Sequence, residues 1–131
     1  MSWLLDTNIC IPLINGTDPA LAGKLLQLPP SDFCLCSVVR AELEFGACNS
    51  ARVAENLARL RRFLGAFPCL DFDESSAVQY GVIRAQLQRE GRPIGGNDLM
   101  IASMALVHER TLVTRNTSEF GRVPGLVVEE W

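Results

Sequence analysis

The chain has 131 residues, 48% of them hydrophobic, which suits one domain with a packed core over residues 1–131. Its formal charge of −3 excludes a protein that holds nucleic acid by broad electrostatic attraction, so any such contact must be local. No apolar run approaches the roughly 20 residues of a membrane span, and Asp6 comes too early for a signal peptide. We therefore expect a cytoplasmic protein without a membrane segment.

Short apolar runs alternate along the chain with longer amphipathic stretches, which predict buried strands and helices respectively. The predicted elements are, in chain order, a strand at 3–5, helices at 8–15 and 19–28, a strand at 33–36, helices at 37–48 and 51–66, a strand at 69–71, helices at 74–90 and 97–109, and strands at 111–114 and 126–128. Strands that alternate with helices imply an α/β fold with a mostly parallel sheet covered on both faces.

Polar residues at several predicted helix starts are candidate caps. Ser37 stands before the third helix, Ser50 before the fourth, and Asp73 or Glu74 before the fifth. The segment 95–98, Gly-Gly-Asn-Asp, predicts a flexible entry and a polar cap for the last helix.

Three acidic residues stand far apart in the sequence, each at a position that is costly for a charge. Asp6 follows the first strand, Glu42 lies inside the third helix, and Asp98 opens the last helix. If they converge, their mutual repulsion requires a neutralising cation, and Mg²⁺ prefers oxygen ligands of this kind. Separately, Asp6 has an alternative role as a helix N-cap, and Asp98 is favourable in a first helical turn. The convergence of all three predicts a magnesium site.

Glu42 is the most informative of the three acids. Helical periodicity places it on the face that also carries Val38, Val39, Leu43 and Phe45, so its carboxylate is expected to point inward. A buried carboxylate is expensive unless it is protonated, hydrogen-bonded or paired with a cation. The alternative to a metal is a salt bridge to a buried arginine, for which Arg84 is the candidate.

Further polar residues are predicted to surround the acids. Asn8, Thr114 and Asn116 are positioned to hydrogen-bond the carboxylates or metal-bound waters, although ordinary turn chemistry explains them too. Glu119 is a candidate outer metal ligand, with simple solvent exposure as its alternative.

Three arginines are weaker candidates for contact with nucleic acid. Arg84, Arg89 and Arg92 cluster on and after the fifth helix, just before the segment that contains Asp98. They are placed to contact RNA phosphates, and solvated helix charges are an equally good interpretation.

Four ordered motifs resemble those of the VapC toxins in the PIN-domain superfamily. They are Leu5-Asp6-Thr7-Asn8, Arg40-Ala41-Glu42-Leu43-Glu44-Phe45-Gly46, Ile94-Gly95-Gly96-Asn97-Asp98-Leu99-Met100-Ile101-Ala102 and Val113-Thr114-Arg115-Asn116-Thr117-Ser118-Glu119-Phe120. The resemblance spans essentially the whole chain. It implies an α/β/α sandwich with a central, mostly parallel sheet of four to five strands.

The resemblance also implies an endoribonuclease that depends on Mg²⁺, for which Mn²⁺ substitutes. By this likeness Asp6 and Asp98 ligate the metal, and Glu42 helps to orient the hydrolytic water. Many PIN domains carry a fourth acid where this chain has Asn116, which puts a second bound metal in doubt. Products with 5'-phosphate and 3'-hydroxyl ends follow from a water nucleophile, and the single histidine, His108, argues against a metal-independent ribonuclease.

Partners follow from the same resemblance. It implies inhibition by a VapB antitoxin bound over apolar helices, a toxin homodimer, a hetero-oligomer with the antitoxin, and structured RNA such as tRNA as substrate. Ile9, Ile11, Leu13 and the Phe63–Phe67 segment are candidate apolar surface for the antitoxin. Two rival functions are another magnesium phosphoryl-transfer enzyme, either a DNA nuclease or a phosphatase, and a non-catalytic PIN-like binding module.

Overall fold

Residues 1–131 are described by a computed structural model that contains five strands, seven α-helices and one 3-10 turn. In chain order the elements are β1 (Trp3–Leu5), α1 (Thr7–Asn15), α2 (Pro19–Leu26), the 3-10 turn (Pro30–Asp32), β2 (Phe33–Cys36), α3 (Ser37–Cys48), α4 (Val53–Leu64), β3 (Cys69–Leu70), α5 (Glu74–Arg89), α6 (Gly96–Val107), β4 (Thr111–Val113), α7 (Thr117–Phe120) and β5 (Val128–Glu129).

The five strands form one sheet in the order β3-β2-β1-β4-β5, and every neighbouring pair is parallel. All residues of β1, β2 and β4 are buried, as expected for strands covered by helices on both faces. This arrangement confirms the predicted α/β sandwich and its mostly parallel sheet.

The strand order places a topological switch point between β1 and β4. From β1 the chain adds β2 and β3 on one side, then returns to add β4 and β5 on the other. Leu5 is in register with Val113, and the Asp6 N–H donates to the Val113 carbonyl over 3.0 Å. The residues that follow these two strands, Asp6 and Thr114, therefore lie side by side where open α/β sheets bind their ligands.

Several predicted element boundaries are wrong. The last strand is Val128–Glu129 rather than 126–128, because Gly125 adopts a left-handed φ of 79° and the Leu126 N–H closes a turn onto Val123. Helix α4 is shorter than predicted, and the one-turn helix α7 has no counterpart among the predicted elements. Short turns and helix ends depend on local hydrogen bonds, which apolar periodicity does not report.

Two of the predicted caps are wrong and one is confirmed. Ser37 lies within the first turn of α3 and provides no cap, and the Ser50 hydroxyl instead donates to the Ala47 carbonyl over 2.6 Å. Asp73 caps α5 by accepting from the Ser76 N–H over 2.9 Å.

The entry to α6 differs from the expectation in one respect. Its N-cap residue is Gly95, and no side chain satisfies the free amides of the first turn. The glycine entry is present as predicted, but the polar cap is absent, so Asp98 lies in that turn without closing it.

The core is one apolar cluster of 27 buried residues, in which Phe33 and Phe120 are the largest fully buried side chains. Helices α1, α3 and α4 pack on one another, and α5 packs along α6. Trp131 closes one edge, with its ring 5.6 Å from that of Trp3 and 5.8 Å from that of Phe33. None of the helices combines the length and the apolar character needed to span a bilayer.

Candidate active site

Asp6 is the carboxylate at the centre of the site, and only 5% of its surface is exposed. Oδ1 accepts the Thr7 N–H over 2.8 Å, which makes Asp6 the N-cap of α1, and Oδ2 accepts the Thr114 hydroxyl over 2.7 Å. Burial raises the pKa of Asp6 above its ordinary value, and these two hydrogen bonds oppose the rise. Asp6 is thus both a cap and a member of the acidic site.

Thr114 and Asn8 form a polar network that fixes Asp6. The Asn8 Nδ2 donates to Thr114 Oγ1 over 3.3 Å, and the Asn116 N–H donates to the same oxygen over 3.0 Å. The Arg115 N–H donates to Asn8 Oδ1 over 3.1 Å. The network joins the segment after β1 to the segment after β4, so it holds the carboxylate in one orientation.

Glu42 lies on α3 and is half-buried rather than fully enclosed. Burial raises the pKa of its carboxyl group, and the nearby charge of Asp6 raises it further. The Thr7 hydroxyl lies near enough to lower that pKa, yet Oγ1 does not attain hydrogen-bond geometry and is a buried atom without a partner. Glu42 therefore belongs to the same electrostatic site as Asp6.

The alternative pairing of Glu42 with Arg84 is absent, and the placement of Phe45 on the inward face is wrong. The exposed Arg84 forms no salt bridge with Glu42; its Nη1 donates to the Tyr80 hydroxyl over 3.0 Å. Periodicity assigns Phe45 to the inward face, but 68% of its surface is exposed. The face that α3 buries is narrower than the apolar pattern indicates, because the main contacts of α3 are with α1, α4, α6 and β2.

Asp98 lies in the first turn of α6 and has the most perturbed carboxyl group of the site. Burial, a proton shared with Glu119 and the charges of Asp6, Glu119 and Glu42 raise the pKa of Asp98 to about 7. Of the two carboxyl groups, Asp98 has the raised pKa because it is the more buried and also faces the other acids. Correspondingly, the hydrogen bond with Asp98 lowers the pKa of Glu119.

Asn116 and Glu119 complete the rim of the site. The Asn116 Nδ2 donates to Glu119 Oε2 over 3.2 Å, and this bond also lowers the pKa of Glu119. Asn116 precedes α7 and Glu119 lies within it, so this short helix directs the Glu119 carboxylate toward Asp98. The structure thus brings Glu119 into contact both with Asp98 and with Asn116.

The four carboxylates Asp6, Glu42, Asp98 and Glu119 lie near enough for the other three to raise the pKa of Asp98, and we call this group the acidic pocket. No three His, Cys, Asp or Glu side chains are gathered closely enough to form a complete set of protein ligands for a metal. Mg²⁺ usually takes only one or two carboxylates directly and completes its octahedron with water and substrate phosphate. Mutual repulsion among the acids and the unpartnered Thr7 hydroxyl fit such a hydrated cation.

The remaining predicted residues lie outside the acidic pocket. Arg84 lies on α5, Arg89 ends that helix and Arg92 follows it; all three are exposed, and none forms a salt bridge. His108 ends α6, ten residues or about 15 Å along the helix from Asp98. The histidine is therefore too distant to serve as an acid or base beside the carboxylates.

Two residues of the site had no assigned role in the sequence predictions. Thr7 donates its N–H to Asp6 and carries its hydroxyl near Glu42, and Arg115 holds Asn8 through its backbone N–H. Thr7 lies inside the Asp-Thr-Asn motif, which is the signal that marks it. Nothing local marks Arg115, because its contact joins segments 107 positions apart.

Comparison with known proteins assigns the family. The family described as PIN domain matches residues 3–126. Ribonuclease VapC2 of Rickettsia felis is 38% identical over 132 residues, which cover 100% of this chain and 98% of the relative. The tRNA(fMet)-specific endonuclease VapC of Shigella flexneri is 41% identical over 131 residues, with coverage of 100% and 98%.

Solved structures agree with the sequence relatives. The crystal structure of VapBC2 from Rickettsia felis, bound to a DNA fragment from its promoter, superposes with a TM-score of 0.93 at 37% identity. The match covers 100% of this chain and 99% of that one. The chain therefore belongs to the PIN-domain family and, within it, to the group of VapC ribonucleases.

Proposed function

We propose that this protein, as a single PIN domain over residues 1–131, is the toxin of a type II toxin–antitoxin system and acts as a metal-dependent endoribonuclease. The observation that carries this proposal is the convergence of Asp6, Glu42, Asp98 and Glu119 at the β1/β4 switch point. Such a cluster stores repulsion that a divalent cation relieves, and the carboxyl ends of the strands leave it open to a polymeric substrate.

The substrate proposed is structured RNA, with tRNA the favoured class. Support comes from relatives that match this chain over its whole length, one named as a ribonuclease and another as a tRNA(fMet)-specific endonuclease. Because the protein carries a net charge of −3, recognition depends on a local basic surface rather than on the overall field. Arg84, Arg89 and Arg92 are proposed to provide that surface.

Asp6 and Asp98 are proposed to hold Mg²⁺ or Mn²⁺, directly or through water. When bound, the cation supplies positive charge that lowers the pKa of water and stabilises the phosphoryl group. Thr114 and Asn8 keep the Asp6 carboxylate in one orientation. Asn116 holds Glu119 toward Asp98, so Glu119 and Asn116 act at the outer edge of the cation site.

Glu42 is proposed to position the attacking water. Burial and the charge of Asp6 raise the pKa of Glu42, which makes its carboxylate a better proton acceptor than an exposed one, while Asp6 remains engaged by two hydrogen bonds. Attack by water on phosphorus, with departure of the ribose 3'-oxygen, leaves a 5'-phosphate on one fragment and a 3'-hydroxyl on the other.

A VapB-type antitoxin is proposed to bind the groove between α1, α3 and α4. This cavity of about 270 Å³ is lined by the apolar residues Ile11, Ile14, Leu43 and Leu60, and it extends to Glu42. A basic antitoxin side chain entering it would meet the acids and displace the cation. The expected apolar surface is corrected in part, because Ile9 is fully buried and the Phe63 and Phe67 rings pack against each other.

The support for this partner comes from solved relatives that are VapBC complexes, among them one from Salmonella typhimurium with a TM-score of 0.94 at 37% identity. A homodimer of the toxin, and its hetero-oligomer with the antitoxin, are proposed on the same likeness. Cytoplasmic localisation is proposed with them, since the RNA substrate is found there.

The decisive experiment is cleavage of total bacterial RNA by antitoxin-free protein with Mg²⁺ or Mn²⁺, with the cut ends mapped by sequencing. Matched reactions contain Asp98→Asn, or EDTA in place of metal. Discrete cuts with 5'-phosphate ends that vanish in both controls support the proposal. A folded wild-type protein that leaves RNA intact but hydrolyses DNA or a phosphomonoester would replace it with another phosphoryl-transfer function.

A further inference from the structure

A second cavity of about 240 Å³ lies beside the acidic pocket, between α5 and the start of α6. We name it the Tyr80 cavity; Tyr80, Arg84, Leu87 and Gln88 line it from α5, and Ile94 and Leu99 line it from the other side. Gly96 also contributes to its wall. Gly96 and Leu99 belong to the same first turn of α6 as Asp98, so the cavity and this acid share one end of that helix.

The walls of the Tyr80 cavity suit a flat ring. The half-buried Tyr80 is braced by the Phe72 ring at 6.2 Å in an edge-to-face contact. The Arg84 guanidinium lies 5.8 Å from the centre of the Tyr80 ring. Aromatic rings and guanidinium planes are the surfaces on which proteins stack unpaired bases.

The polar groups of the cavity are placed to meet the edge of a base. The Tyr80 hydroxyl, the Arg84 guanidinium and the Gln88 amide line it together with the apolar side chains of Leu87, Ile94 and Leu99. Gln88 offers both a donor and an acceptor, so it can pair with a Watson–Crick edge. Apolar walls with a few convergent polar groups are typical of sites for small planar ligands.

The charge around the cavity favours a nucleotide over other planar groups. Arg84, Arg89 and Arg92 form no salt bridge with any carboxylate, so their charges are available to a phosphate. By contrast, Arg40, Arg61 and Arg115 are each paired with an acid. The chain therefore leaves positive charge uncompensated beside this cavity although its net charge is negative.

We propose that the Tyr80 cavity is a subsite that binds one unpaired base of the RNA, adjacent to the phosphate that is cleaved. The inference rests on the proposed ribonuclease function and deepens it. A base stacked on the Tyr80 ring, beside the Arg84 guanidinium that the Tyr80 hydroxyl holds, sets the register of the backbone over Asp98. The subsite therefore selects single-stranded loops, in which bases are free to leave the stack.

The first test measures binding without cleavage. A tRNA(fMet) transcript with single 4-thiouridine substitutions in its loops is irradiated with the wild-type protein in EDTA, and the crosslinked peptides are identified by mass spectrometry. We expect one loop position to crosslink to the α5 segment 80–88. Crosslinks confined to other segments, or none, overturn the subsite.

The second test measures cleavage. Stacking is worth about 10- to 100-fold in affinity, so Tyr80→Ala should lower kcat/KM by a factor in this range, while Tyr80→Phe retains most activity. Val82→Ala, a change at a residue of α5 that is 56% exposed and lies outside the cavity, is the matched control. An abasic nucleotide at the crosslinked position should lower kcat/KM for cleavage by the wild type, but it should not lower kcat/KM further for Tyr80→Ala.

The outcomes separate the subsite from the nuclease proposal. Cleavage by Tyr80→Ala at the wild-type rate, or fully additive effects of the variant and the abasic nucleotide, overturns the subsite and leaves the nuclease standing. If Tyr80→Ala loses antitoxin binding while its RNA cleavage is unchanged, the cavity belongs to a protein partner, and the RNA subsite is overturned. Crosslinking to 80–88 by a protein that cleaves no RNA supports the subsite while refuting the nuclease.

Discussion

Replacement of Asp98 by Asn should stabilise the metal-free protein. The surrounding acids and partial burial raise the pKa of Asp98 from 3.8 to about 7, so the folded state holds its ionised form at a cost. This rise in the pKa corresponds to roughly 4 kcal/mol at most. Since Asp98 is only half-buried, solvent screening reduces the expected gain to about 2 kcal/mol.

The stabilisation by Asp98→Asn should depend on pH, because only the ionised form of Asp98 is unfavourable in the folded state. Because the pKa of Asp98 is raised in the folded state, protonation of this residue favours folding. Its contribution to the free energy of unfolding is complete below pH 3.8 and is lost as the pH rises through about 7. The stability difference between Asp98→Asn and wild type should therefore be small near pH 4 and grow to its full size by pH 8. The amide keeps the shape of the carboxyl group and removes only its charge.

The assay is urea unfolding in EDTA at pH 4.5 and pH 8, followed by tryptophan fluorescence. A thermal melt of the same samples is the second measurement, because for a domain of this size a gain of about 2 kcal/mol corresponds to a rise in Tm of roughly 6 to 10 °C. Asp71→Asn, at an exposed position outside the site, is the control and should change neither the free energy of unfolding nor the Tm. A variant that is no more stable than wild type at pH 8, or equally stabilised at both pH values, would refute the reasoning.

Three further predictions address the cation, the polar network and the antitoxin groove. Addition of 10 mM Mn²⁺ should raise the wild-type free energy of unfolding by about 1.4 kcal/mol if the dissociation constant is about 1 mM, and equal stabilisation of Asp98→Asn would contradict the assignment. Thr114→Val, which removes the hydroxyl that donates to buried Asp6, should cost about 1–3 kcal/mol in urea unfolding at pH 8, whereas Thr114→Ser should retain most of the stability. Ile11→Asp, at a position 46% exposed in the α1–α3–α4 groove, should weaken antitoxin binding at least about tenfold by calorimetry with little change in stability, and unchanged affinity would exclude this groove.

Elements with a strong periodic signal were predictable from the sequence. The strands at 3–5 and 33–36 and the helix at 37–48 match the structure at both ends, because the strands are continuous apolar runs and the helix carries an apolar face. The site acids were recognisable for the converse reason. A charge at a position where the pattern calls for an apolar residue is costly, so Asp6, Glu42 and Asp98 stand out from their apolar neighbours in the chain.

The order of the elements and the identity of the acids could be read from the amino-acid sequence alone, since both depend on a residue and its near neighbours. The strand order, which sets Thr114 against Asp6, and the turn of α7, which brings Glu119 to Asp98, follow from long-range packing. It also turned Arg84 away from Glu42 and onto Tyr80, at the wall of a cavity. These contacts join segments whose approach is fixed by sheet register and helix packing, and no local pattern encodes that approach.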